Sequence, residues 1–543
     1  MMQHIEGNII DIHRREIYPG IISIDSGKII SINRNSQKYA HYISPGFINA
    51  HVHIESSMLI PEEFSKLAIR RGTVAIVNDP HEIANVMGTE GIEYMIENSK
   101  QSCIKSFFTI PSCVPATPYD SSGSVLLSSD IEQLALNHKF VGLSEMMNVP
   151  GVVQDDTEVL AKIEIARRHH LTIDGHAPGL SGSFLKKYID AGISTDHECT
   201  SLEEAIEKIN SGMKILIREG SAAKNYEALK WLIDDYPEKV MFCTDDSHPN
   251  DLLSYGEIDK LVRKALGDGF DLFDVLKIAS FNPISHYKIN VGCLREGDPA
   301  DFIIVRNLNT FDVLSVYIDG IEKYNYSGNN EKPHPAPIKI INHFNRDPIS
   351  LMDLTKPIKK KIVSIKVIPG ELVTRRIDFE LESPIRNFES DVKRDILKIV
   401  YLNRYQNTPP QIAFISGFEL KEGAFATTIS HDSHNIIAVG CSDKDILEAI
   451  NAVILEKGGL AVKNNKGIIK LPLPIAGIMS ASDGETVASL WETLTEELKQ
   501  MGCKLDSPFM TLSFMSLIVI PELKIGEQGL FDYEHFKFIS ESD

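Results

Sequence analysis

Between residues 46 and 284, short apolar runs alternate with stretches of helical periodicity, and this alternation constrains the fold more than any other feature of the chain. Parallel strands cannot be joined by a tight hairpin, so each must be reached by a crossover, usually a helix. Strands are predicted to end near His53, Asn78, Ser112, Met146, His176, His197, Arg218 and Asp245. Asp156 to His170 carries apolar residues at helical spacing, and Ser201-x-x-Glu204 has the form of a capping box at the start of another helix. Eight such strands with helices between them close a (β/α)8 TIM-like barrel.

The flanks read differently. Asn8 to Ile12, Ile21 to Ile24 and Lys28 to Ile32 are β-branched runs, with Asp25-Ser26-Gly27 as a hairpin turn between the last two. Strand chemistry returns at Gly292 to Val305, and the two flanks (1–45 and 285–340) are expected to meet in one small β-sandwich domain around the barrel of 46–284. Tyr326 to Pro337, rich in Gly, Asn and Pro, reads as a linker, and 346–543 as an additional α+β C-terminal domain.

Composition narrows the function class. The formal net charge is -20, from 75 acidic against 55 basic residues. Such a surface repels a nucleic-acid backbone or an anionic membrane, so neither is expected as a partner, whereas a nucleobase is small and nearly neutral. Seven scattered cysteines without a C-x-x-C pair suit a reduced, cytoplasmic protein. The first twenty residues lack the apolar core of a signal peptide, and no stretch approaches the length of a membrane span.

Chemistry concentrates at the predicted strand ends. In Phe47-Ile48-Asn49-Ala50-His51-Val52-His53, alternation puts His51 and His53 on one face of a strand, close enough to grip one ion together. Glu145, His176, His197 and Asp245 each follow an apolar run at a later strand end. Barrel active sites form at the C-terminal ends of the strands, and the same kind of residue at five such mouths is hard to attribute to packing. Four imidazoles and two carboxylates exceed what one tetrahedral ion needs and suit two divalent ions. The mixed N/O set fits Mn2+, Fe2+ or Zn2+.

The pattern of H-x-H on strand one, single histidines on strands five and six and aspartate on strand eight resembles the amidohydrolase superfamily. Within it, Pro45 to Ser57, Asn78-Asp79-Pro80-His81-Glu82, Asp174 to Pro178, Cys243 to His248, His431 to Asn435 and Pro508 to Phe514 resemble the bacterial adenine deaminases. The resemblance spans nearly the whole chain. It implies hydrolysis of adenine to hypoxanthine and ammonia by a hydroxide on a binuclear centre, with Mn2+ the expected ion, a role in purine salvage, and a homodimer or larger homo-oligomer. Cyclic-amide hydrolases of the superfamily usually bridge their ions with a carboxylated lysine on strand four. Here Glu145 holds that place and Lys139 lies at the other end of the strand.

On this reading His51, His53, Glu145, His176, His197 and Asp245 are metal ligands, and Asp245 also carries the proton from the nucleophile to the departing amine. Glu55, His81 and Glu82 are alternative donors of the proton that ring N1 needs, and Arg218 and Asp246 are further substrate-side candidates. Arg218 is equally readable as an ion-pair partner of Glu219 or a neighbouring loop. His169 and His170 suit a helix C-terminus. The spacing of His431 and His434 fits neither a strand pair nor a familiar metal pattern, and a structural or interface role near the barrel mouth is expected for them. The alternatives are an amidohydrolase acting on guanine, cytosine or a cyclic amide, and a barrel kept only as a scaffold.

Overall fold

The apolar runs of the first half do form strands. The computed structural model of the protein describes residues 2–221, 223–328, 338–358 and 361–539. Its contacts divide the chain into two compact units: Met1–Pro80, Glu93–Cys113 and Leu126–Pro337 in one, and His81–Ile92, Val114–Val125 and Ile338–Asp543 in the other.

In the first unit, the N-terminal flank supplies β1 (Gln3–Asp11), β2 (Glu16–Asp25), β3 (Lys28–Arg34) and β4 (Tyr42–Pro45). Barrel strands follow: β5 (Phe47–His53), β6 (Thr73–Asn78), β7 (Lys105–Ile110), β8 (Gly142–Met146), β9 (Thr172–Gly175), β10 (Thr195–Asp196), β11 (Lys214–Arg218) and β12 (Val240–Cys243). The ladders from β5 to β9 and from β10 to β12 are parallel. The Ser194 N–H donates to the Ile173 carbonyl at 2.9 Å and joins the two sheets at β9 and β10. At the other seam the short β13 (Asp245–Asp246), which continues β12 after one residue, pairs with β5 and closes the ring. Every residue of β5, β6, β8 and β12 is buried, as expected of parallel strands covered on both faces.

Strands from both flanks of the barrel share one sheet. β14 (Phe302–Val305), β15 (Val313–Ile318) and β16 (Ile321–Asn325) join the N-terminal strands in the order β16-β15-β14-β4-β1-β2-β3. The hydrogen bonding is continuous, so the small domain is one seven-stranded sheet, cored by Ile9, Ile22, Ile24, Ile29, Ile43 and Phe302. Its β2–β3 hairpin turns through Ser26 and Gly27, at φ 50° and 78°, the two left-handed residues that let a two-residue loop follow the strand twist. Residues 329–337, most of the expected linker, lie outside the described residues.

Helix ends in the barrel obey local capping. The helix Thr157–Arg168 starts where the Asp156 carboxylate accepts from the N–H groups of Glu158 and Val159. Ser201 caps the helix Leu202–Asn210 by accepting from Glu204 N–H at 3.3 Å. The capping box is only half made, because the Glu204 carboxylate turns instead to the N–H groups of Gly179 and Thr200 and to Lys208.

The second unit is α+β. Eight strands, β17 (Lys361–Val367), β18 (Thr374–Glu380), β19 (Leu397–Leu402), β20 (Gln411–Ser416), β21 (Ala424–Thr427), β22 (Ile436–Gly440), β23 (Gly459–Lys463) and β24 (Ile468–Pro472), form one mixed sheet. The helix Asp443–Leu455 packs Ile446, Ala449, Ile450 and Val453 against Val400, Leu402, Ala426, Ile436 and Ala438. Two short segments, 81–92 and 114–125, cluster with this unit although they follow barrel strands in the sequence. No helix among the described residues is long and apolar enough to cross a membrane.

Candidate metal centre

All six residues expected as metal ligands converge at the C-terminal end of the barrel. His51 and His53 project from one face of β5, and their Nε2 atoms stand 3.1 Å apart. His53 Nε2 lies 3.0 Å from Asp245 Oδ1, and His51 Nε2 lies 3.7 Å from the same oxygen. The His53 Nδ1–H donates to the Asp79 carbonyl at 3.0 Å, which fixes the tautomer and leaves Nε2 for the centre.

Glu145, on β8, divides its two oxygens. Oε1 faces His53 Nε2 at 3.4 Å, while Oε2 meets His176 Nδ1 at 2.8 Å and His197 Nε2 at 3.1 Å. The carboxylate therefore stands between one set of donors (His51, His53, Asp245) and another (His176, His197). The ring of His197 stacks on that of His51 with centroids 4.5 Å apart, so the two sets share one pocket.

Asp245 takes its position from a departure from strand geometry. Its φ is 57°, in the left-handed region, which costs a non-glycine residue about 1 kcal/mol or more. The turn is locked from β5: Asn49 Nδ2 donates to Thr244 Oγ1 at 2.6 Å, and Thr244 N–H donates back to Asn49 Oδ1 at 3.1 Å. Asp246 then lies beyond the turn and accepts from the Ser56 hydroxyl.

Two residues complete the electrostatics. Arg218, at the end of β11, donates to Asp245 and to both oxygens of Glu198, with Nη2–Oε2 at 2.9 Å. Glu198 also approaches His197 and His176, at 3.3 Å and 3.6 Å. Burial pushes the Asp245 carboxyl up, but Arg218, His51 and His53 outweigh it and hold the group well below its ordinary value. Burial likewise opposes ionisation of Glu145, and His176, His197 and His53 hold it well below as well. For His176, burial favours the neutral ring, yet Glu198 and Glu145 raise its pKa to about 9.

The donor set fits divalent ions. Glu145, Asp245 and Glu198 set against Arg218 leave two negative charges among imidazoles whose nitrogens point inward, and the metal-free site must hold protons to compensate. His51, His53 and Asp245 bring their ligand atoms within 4.8 Å of one another, as do His51, Glu145 and His197. These are compact sets of N and O donors suited to first-row metals.

Glu55 is buried in the 3-10 turn Ile54–Ser57 directly after β5. His81 and Glu82 belong to the second unit, where Glu82 meets His431 Nδ1 at 2.7 Å and His434 Nε2. Arg218 does not pair with Glu219, which faces Lys264 at 3.6 Å. His169 turns to Glu132 at 3.0 Å, away from the centre. Glu198 was not foreseen. Strand alternation would point it away from its neighbour His197, but β10 is two residues long and the chain has already turned.

The family model of the amidohydrolase family matches residues 42–322, and that of the adenine deaminase C-terminal domain matches residues 371–537. An adenine deaminase of Methanosarcina mazei is 51% identical over 99% of this chain and 99% of its own length. Those of Sulfurovum sp. and Borreliella burgdorferi are 48% and 47% identical, each over 98% of this chain and 99% of their own length.

Proposed function

Because the chain belongs to the adenine deaminase family of amidohydrolases, we propose that it hydrolyses adenine to hypoxanthine and ammonia at a centre of two divalent ions in the barrel. The observation that carries the binuclear reading is Glu145, whose two oxygens face two separate sets of histidines. His51, His53 and Asp245 would hold one ion, His176 and His197 the other, and Glu145 would bridge them. Divalent ions held there would supply Lewis acidity, lowering the pKa of water enough to give a nucleophile at physiological pH. The imidazole and carboxylate donors, without thiolate, suit Mn2+, Fe2+ or Zn2+, and Mn2+ is the ion the family resemblance leads us to expect.

Net hydrolysis adds the water oxygen to C6 of adenine, breaks the bond from C6 to the exocyclic nitrogen and releases ammonia. Asp245 accepts a proton from the water and returns it to the departing amine. Arg218 keeps this carboxylate ionised and oriented, as general-base work requires. Ring N1 must gain a proton as C6 becomes tetrahedral. Glu55 is the candidate that the barrel unit itself supplies, two residues beyond His53. Asp246, held by Ser56, is the nearest further carboxylate in sequence for orienting the purine.

Seven free cysteines suit the reducing cytoplasm, and a homo-oligomer engaged in purine salvage is the setting we propose. Substrate choice is tested by offering the Mn2+-loaded protein adenine, guanine, cytosine and a hydantoin, reading ammonia and the ring product by chromatography. Hypoxanthine from adenine, with little turnover of the others, is expected. Hydrolysis of another ring with adenine untouched would reject the assignment.

A further inference from the structure

The second unit contains a buried group of metal-ligating side chains that the deamination chemistry does not use. Glu82, His431 and His434 bring their ligand atoms within 4.8 Å of one another, and none of the three is more than 5% exposed. His431 Nδ1 lies 2.7 Å from Glu82 Oε1, His434 Nε2 faces Oε2, and Asp432 Oδ1 stands 4.0 Å from His431 Nδ1.

The two histidines lie in the connection from β21 to β22, which explains why their spacing of three matched no strand pattern. Their backbone is firmly held. His434, at φ 51°, donates its N–H to the Ser430 carbonyl at 2.7 Å, and the Tyr405 hydroxyl donates to the Ser433 carbonyl at 2.7 Å. Asn435 Nδ2 reaches Tyr401 Oη at 2.7 Å, and the His431 ring stacks on Phe514 with centroids 4.8 Å apart. A turn fixed in this way presents its ligands without further ordering, as a metal site requires.

The simpler account is a carboxylate clasped by two imidazole N–H groups. That account leaves one ring atom of His434 without a role. Nε2 faces Glu82, and the buried Nδ1 meets no hydrogen-bond partner among the described residues. If the proton is on Nδ1, the Nε2 lone pair points at an anionic oxygen. A cation coordinated by both Nε2 and the carboxylate would satisfy the two, the donor atoms opening slightly to admit it.

We propose that Glu82, His431 and His434, in the second unit, form a further metal site that takes a first-row divalent cation through two imidazoles and one carboxylate. No chemistry is assigned to it. Its effect is to tie the segment 81–92 to the β21–β22 connection within the second unit.

The test uses the full chain, stripped with a chelator, reloaded with Zn2+, desalted and assayed for zinc by mass spectrometry. The wild type should hold one more ion per chain than His434→Ala, a difference that does not depend on how many ions the barrel binds. A second variant, His51→Ala/His176→Ala/His197→Ala, dismantles the barrel centre and should still retain one zinc per chain. Loss of all zinc from that variant, with its circular dichroism preserved, would overturn the site. Equal zinc in wild type and folded His434→Ala would do the same. If His434→Ala does not fold, the barrel variant decides alone.

Discussion

Replacing Arg218 by methionine removes the guanidinium that touches both Asp245 and Glu198 while keeping most of the side-chain volume. Arg218 is 7% exposed, and its loss leaves the buried Asp245 and the half-buried Glu198 carboxylates without the cation between them. Removing one partner of a buried ion pair typically costs about 3–5 kcal/mol, because the other charge stays desolvated. With a urea slope of about 3 kcal/mol per M, the unfolding midpoint of the metal-free protein should fall by roughly 1–1.7 M. The pH dependence follows by sign. Asp245 and Glu198 have depressed folded-state values, so they contribute stability above the unfolded carboxylate range that is lost as pH falls through the folded value. Without Arg218 both values rise, so the deficit of the variant should be largest near pH 8 and shrink towards pH 5 as the carboxyls protonate. Divalent ions supply charge to the same oxygens, so the metal-loaded variant should lose less. Urea titrations of both proteins at pH 5 and pH 8, with and without Mn2+, read all of this. An unchanged midpoint at pH 8, or a deficit that grows in acid, would refute the electrostatic reasoning.

Other consequences concern the histidines and their supports. His176 has a raised value of about 9, from Glu198 and Glu145 against burial, so its protonation stabilises the metal-free fold fully below the ordinary histidine value. Melting temperatures of the stripped protein should therefore fall as pH rises from about 6.5 towards 9, and a rise across that window would count against protonated histidines in the centre. Metal uptake should release protons, visible as acidification when MnCl2 is added in weak buffer near pH 7. Lys208 is fully buried and donates to the Ala177 carbonyl, Asp196 and Glu204, while Asp196 accepts from Ala177 N–H at 2.8 Å. It thus ties together the strand ends that carry His176 and His197. Lys208→Met should cost about 3–5 kcal/mol and weaken Mn2+ retention in a chelator competition, and normal retention would show that this cluster does not position the ligands.

Much of the barrel was legible because parallel strands buried on both faces are continuous apolar runs, and the candidate ligands sit where those runs stop. The H-x-H pair follows from alternation along a single strand, a purely local rule, and β5 places both rings on one face. Local rules fail where the backbone leaves its element. Asp245 lies in a left-handed turn held by Asn49, about two hundred residues distant in sequence. Glu198 enters the centre because β10 ends after two residues. The association of Glu82 with His431 and His434 spans some 350 positions, and neither periodicity nor motif encodes such a pairing. The same holds for segments 81–92 and 114–125, whose helical or loop character says nothing about which unit they join.

The most direct test is adenine turnover by the protein stripped of metal and reloaded with Mn2+, Fe2+ or Zn2+, beside Asp245→Asn treated in the same way. The stripped protein should be inactive, and reloading should restore release of ammonia and hypoxanthine. Asp245→Asn should fall by about 10²–10⁴-fold in kcat, the usual contribution of a positioned acid–base group. Full activity without metal, or an Asp245→Asn variant as fast as the wild type, would contradict a metal-dependent deamination that uses this carboxylate.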